Sequence, residues 1–106
     1  MERRIEARMS VFSKVTLRIG EDRTDVLLLD ISRTGARLLM PQGQVLMRGQ
    51  SVALKMGVLP ALIGHVVRCE GRVAGIVLTN KLHPSLVESI RQFCRTGDFG
   101  DYARVS

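Results

Sequence analysis

The chain has 106 residues, 45% of them apolar and 25% charged, and a net charge of +6 from sixteen basic and ten acidic side chains. That length is one domain's worth of sequence and that composition is globular, which excludes a disordered chain. No apolar run approaches the ~20 residues a membrane helix needs.

The N-terminus, MERRIEARMS, lacks the apolar core of a signal peptide. The expected location is therefore the cytoplasm, without membrane insertion. Two cysteines, Cys69 and Cys94, are too few for a disulfide scaffold and are expected as reduced, largely buried thiols. Thirteen of the sixteen basic residues are Arg. Guanidinium forks match phosphates and guanine edges, so this bias suggests an anionic partner. Solubility alone is the other reading of the charge.

Residues 1–10 hold three arginines and few apolar residues to pack, Ile5, Ala7 and Met9. Such a segment is expected to be a flexible arm. Residues 11–19 alternate, with Val11, Val15, Leu17 and Ile19 on one side and Phe12, Lys14, Thr16 and Arg18 on the other. Period two predicts a strand with one buried face. Gly20–Arg23 reads as a turn, and Asp25–Ile31 as a short, nearly continuous apolar strand. Ser32-Arg33-Thr34-Gly35 interrupts it, Ala36–Met40 resumes, and Pro41 begins a loop.

Gln50–Met56 alternates again, with Val52, Leu54 and Met56 on one side. Ala61–Cys69 and Arg72–Thr79 read as two strands of an antiparallel hairpin joined at Glu70-Gly71. The period then changes. Leu86, Val87, Ile90, Phe93 and Cys94 form one stripe of a helix. Pro84 suits its first turn, Ser85 and Glu88 have capping-box spacing, and Gly97 is a natural stop. Six short strands and one amphipathic helix predict an all-β fold, a six-stranded antiparallel barrel with a C-terminal helix over one end. The expected organisation is an arm over 1–10, barrel and helix over 11–97, and a loose tail over 98–106.

Two motifs carry chemistry. Arg3-Arg4-Ile5-Glu6-Ala7-Arg8 is an RRxxxR run, and Asp30-Ile31-Ser32-Arg33-Thr34-Gly35 is a DxSxxG run between two predicted strands. RxxxR alone is weak, since it recurs at Arg33/Arg37, Arg68/Arg72 and Arg91/Arg95. DxSxxG occurs once and is the more specific signal. Read separately, the arm could be a solvated charged turn, and Asp30, Ser32 and Gly35 ordinary turn-formers, the last at positive φ.

Together and in this order, over roughly residues 3–97, the motifs resemble those of the PilZ domain, a bacterial receptor for the second messenger cyclic di-GMP. The resemblance implies a non-catalytic receptor whose ligand-binding residues are Arg4, Arg8, Asp30, Ser32 and Gly35, with Arg3 a further contact. It implies cyclic di-GMP as ligand and no metal. The chemistry suits the ligand. Arg meets guanine's O6 and N7 bidentately and pairs with phosphate. Asp30 can accept from guanine N–H groups, Ser32 can bond phosphate or guanine, and Gly35 permits close approach. Binding would fold the arm over the ligand and create a new surface. With no output domain in the sequence, the signal is expected to pass to a separate effector protein.

Leu78 stands where related sequences often place an aromatic. Two alternatives remain open beside the receptor reading. One is a PilZ-like adaptor that mainly binds protein. The other is a small nucleic-acid-binding barrel, which four aromatic side chains and no Trp do not favour. Catalysis lacks a motif, with no nucleophile elbow and no phosphate-cradling glycine loop. His65 and Cys69 lie about 13 Å apart along one strand, too far to share a metal ion.

Overall fold

The computed structural model describes residues 9–96, with side chains described for 11–94. Six strands precede one helix: β1 (Met9–Ile19), β2 (Asp22–Ile31), β3 (Gly35–Leu39), β4 (Ser51–Lys55), β5 (Leu62–Glu70), β6 (Val73–Leu78) and α1 (Pro84–Thr96). All pairings are antiparallel, and the strands close into a barrel in the order β1-β2-β3-β6-β5-β4. Closure comes from β1 against β4, Thr16 opposite Lys55 and Arg18 opposite Ala53. It gives every described strand a neighbour on both sides, so the sheet has no free edge strand among the described residues. The expected fold is thus observed.

The inward residues follow the period-two pattern. Val15 and Leu17 of β1, Val52 and Leu54 of β4 and Ala74, Ile76 and Leu78 of β6 are all buried, so Leu78 does fill the core. The stripe of α1 packs onto them: Val87, Ile90 and Cys94 are buried, and Leu86 and Phe93 lie partly buried against the core. The Phe93 ring sits over Gly57, where a Cβ would meet ring carbon Cε1 at 2.8 Å. Burial pushes the Cys94 thiol up, partly offset by the Ser13 hydroxyl facing it from β1.

Several boundaries and roles differ from those expected. β1 starts at Met9, two residues inside the segment read as an arm. β2 starts at Asp22, because Gly20 at φ 60 makes the turn in two residues and pairing resumes at Ile19–Asp22. The capping box does not form. His83 precedes the helix and its Nδ1 accepts from the Ser85 N–H at 3.0 Å, while the Glu88 carboxylate accepts from Arg91 and Gln92. A ring nitrogen therefore takes the place of the capping hydroxyl. Cys69 is exposed rather than buried, its thiol donating to the Leu46 carbonyl at 3.1 Å. Gly97 and the 98–106 tail lie outside the described residues.

Three β-bulges interrupt the described strands. Ser10–Asp30 and Ser13–Leu28 leave an extra residue on β1, and within it Phe12 adopts φ 49 with its ring exposed. Leu28–Leu38 and Asp30–Arg37 leave Leu29 extra on β2. Val66–Ile76 and Arg68–Gly75 leave Val67 extra on β5. Each extra residue reverses the inside–outside alternation beyond it.

One glycine is fixed by space. Gly64 is buried between Leu62 and Val66, and an added Cβ would run into the Val77 backbone carbonyl and stand 3.0 Å from Ile76 Cγ2. Overpacking against backbone costs about 1–3 kcal/mol. Gly64→Ala should lower the melting temperature by roughly 4–8 °C for each kcal/mol lost. Thermal denaturation followed by circular dichroism measures it, and an unchanged midpoint would refute the clash.

Candidate functional site

The DxSxxG run spans the β2–β3 connection, as its position between predicted strands implied. Asp30 and Ile31 end β2, and Gly35 opens β3. Strict alternation from the inward Val26 and Leu28 would point Asp30 into the barrel. The bulge at Leu29 turns it instead to the outer face, opposite Arg37, and sends Ile31 into the core at 0% exposure. Asp30 is nevertheless buried, and its Oδ2 accepts from Arg37 Nε at 2.6 Å. Side-chain exposures of 54% for Arg37 and 5% for Asp30 describe a covered carboxylate held by a half-exposed guanidinium. A charge-assisted bond of this length fixes the carboxylate's orientation.

Ser32 builds the turn. Its Oγ accepts from the N–H groups of Thr34 at 3.3 Å and Gly35 at 3.2 Å, and its own N–H donates to the Gly35 carbonyl at 2.9 Å. This is the side-chain mimicry that makes Ser a turn-former. Gly35 is buried opposite Val77 of β6. It is not among the positive-φ glycines, which are Gly20, Gly43, Gly49, Gly57 and Gly71. A left-handed backbone therefore does not explain its identity. The turn is tied to the segment before α1: Arg33 Nε donates to the Leu82 carbonyl at 2.8 Å and the Leu82 N–H donates to the Arg33 carbonyl at 2.7 Å.

Arg3, Arg4 and Arg8 lie outside the described residues. The root of their segment is described, however. Met9 pairs with Ile31 and Ser10 with Asp30. The described chain therefore starts beside the DxSxxG turn, and the RRxxxR run directly precedes that start in sequence. The sequence reading missed Arg37, noting it only as half of a recurrent RxxxR pair. Its place seven residues after Asp30 across a short turn was the available signal, but the Leu29 bulge that sets the two opposite each other has none. Among the described residues, no group of three His, Cys, Asp or Glu side chains could hold a metal ion. No described helix is long and apolar enough to cross a membrane.

A small closed six-stranded barrel with one C-terminal helix and a DxSxxG run at a strand connection defines a class of domain, and comparison with known proteins places the chain within it. The PilZ domain model matches residues 2–96, and the chain belongs to that family. PilZ domains are a family of cyclic di-GMP receptors, generally non-catalytic. Among solved structures, the Borreliella burgdorferi PlzA protein in complex with c-di-GMP superposes at a TM-score of 0.65 with 13% identity, over 86% of this chain and 40% of that one. The Bacillus subtilis inhibitor of motility, MotI/DgrA, superposes at 0.64 with 15% identity, over 94% of this chain and 53% of that one. The chain thus spans about half the length of these relatives or less, and the likeness concerns the fold. No curated protein matches it by sequence.

Proposed function

We propose that this chain is a non-catalytic, cytoplasmic receptor for cyclic di-GMP that signals to a separate effector protein. One observation carries the reading: β1 begins at Met9 opposite Ile31, between Asp30 and Ser32, and Arg8 is the residue directly before Met9 in the sequence. The two motifs start 27 residues apart in sequence, and the Met9–Ile31 pairing brings the end of the segment that carries the first to the second. Arg4 and Arg8 supply forks for guanine and phosphate, Asp30 reads guanine N–H donors, and Ser32 and Gly35 form the turn against which the ligand lies. The family's receptor function and the PlzA complex with c-di-GMP support the choice of ligand. Calorimetry with cyclic di-GMP, with GTP and cyclic di-AMP as competitors, tests it. Saturable binding displaced by neither competitor is the expected result, and no heat with cyclic di-GMP would overturn the proposal.

The stoichiometry follows from Arg3. Two stacked ligands carry four phosphates, and a third arm cation with a planar fork can pair with one and stack on an outer guanine. Two ligands should bind each wild-type chain, and Arg3→Leu should shift the ratio towards one at reduced affinity. Titration well above the dissociation constant reads this number. One ligand per wild-type chain, unchanged in Arg3→Leu, would remove the role given to Arg3 and leave the receptor reading intact.

A further inference from the structure

The outer face of the barrel carries a row that extends beyond the motifs. Asp30 of β2 lies opposite Arg37 of β3, Arg37 opposite Gly75 of β6, and Gly75 opposite Arg68 of β5. All four positions face outwards. Arg37 lies between the inward Ala36 and Leu38, and Gly75 between the inward Ala74 and Ile76. Strict alternation from Leu62 and Val66 would turn Arg68 inwards, and the bulge at Val67 places it outside. A Cβ on Gly75 would stand 3.5 Å from Arg68 Cβ, which puts both on one surface. Two bulges on different strands thus deliver Asp30 and Arg68 to the same row.

The two guanidinium groups of this row differ from their neighbours. Arg33 Nε is bonded to the Leu82 carbonyl and Arg72 Nε to the Met40 carbonyl, so both brace the backbone. Arg37 is half-exposed and bonded to Asp30, and Arg68 is exposed with no hydrogen bond or ion pair among the described residues. Their backbones are two strands apart, about 10 Å, and Gly75 puts no side chain between them. Both forks can converge over that gap on one tetrahedral anion, which presents oxygens to each. Other charged groups stand further off, with Glu70 opposite Val73, one row along.

We infer that Arg37 and Arg68 form, across Gly75, a phosphate subsite that extends the ligand site from the DxSxxG turn to β5. The inference rests on the receptor reading and adds residues to it. The anion is a phosphodiester of the bound dinucleotide, held while Asp30, next in the row, engages a guanine. Arg68 is the clean test because it makes no hydrogen bond or ion pair among the described residues. The full chain is titrated with cyclic di-GMP across a series of KCl concentrations as wild type, Arg68→Gln, Arg68→Lys and Arg48→Gln, the last removing an exposed charge from the 41–50 loop. All four should melt alike.

Arg68→Gln should bind about tenfold more weakly and with a flatter salt dependence, since one phosphate contact is gone. Arg68→Lys should recover part of both, and Arg48→Gln should stay within about twofold of wild type. Wild-type affinity in Arg68→Gln would overturn the subsite. So would an equal loss in Arg48→Gln, which would assign the effect to net charge. A tenfold loss with unchanged salt dependence would overturn the phosphate as its occupant. Absence of binding by the wild type would overturn the receptor reading itself.

Discussion

Arg4→Ala and Arg8→Ala should each bind cyclic di-GMP at least tenfold more weakly than the wild type, while melting at the wild-type temperature. The separation of binding from stability follows from where the core lies. Every buried apolar side chain among the described residues falls between Val15 and Cys94, and the barrel closes through β1 and β4 with Thr16, Leu17 and Arg18. Arg4 and Arg8 precede the first strand. Removing a charge-assisted bond to guanine or phosphate costs about 1.5–3 kcal/mol, and tenfold in affinity is about 1.4 kcal/mol. Arg8 directly precedes Met9, which pairs with Ile31 between Asp30 and Ser32, so its loss should be the larger. Calorimetry gives the affinities and circular dichroism the melting temperatures. Two variants that bind like the wild type would place the ligand elsewhere on the barrel.

The fold was legible because its strands keep period two wherever they face the core. Val15 and Leu17, Val52 and Leu54, and the stripe Val87–Ile90–Cys94 were each readable as buried, and each is. Illegibility sets in at the bulges. A single extra residue leaves no mark in composition, so Leu29 and Val67 looked like ordinary members of apolar runs. They nonetheless decide that Asp30 and Arg68 face outwards. The DxSxxG run was readable as a motif, and its position between strands was right. The Asp30–Arg37 ion pair was not readable, because it depends on a shifted register. Ser85 misled for a different reason. Its spacing to Glu88 fits a capping box, but Pro84 already occupies the first helical position, so the cap falls one residue earlier, on His83.

Asp30→Ala should weaken binding and, more tellingly, should erode the preference for cyclic di-GMP over cyclic di-AMP by at least about tenfold. Guanine offers N–H donors that adenine lacks in that arrangement, and a buried acceptor left unpaired by the wrong base is what makes such a site selective. Asp30 has the properties this needs, since it is covered from solvent and its carboxylate is oriented by Arg37 at 2.6 Å. Asp30→Asn, which keeps the shape and one acceptor oxygen, should fall between wild type and Asp30→Ala. Stability supplies an independent arm. Removing Asp30 leaves a half-exposed guanidinium that water can solvate, whereas Arg37→Ala takes that partner from a carboxylate that stays buried. Arg37→Ala should therefore lower the melting temperature more than Asp30→Ala does, although Asp30 is the residue proposed to read the base. Affinities for the two dinucleotides and melting curves for the three variants decide the matter. An unchanged affinity ratio in Asp30→Ala would reduce Asp30 to the anchor of Arg37, a structural member of the outer face with no part in choosing the ligand.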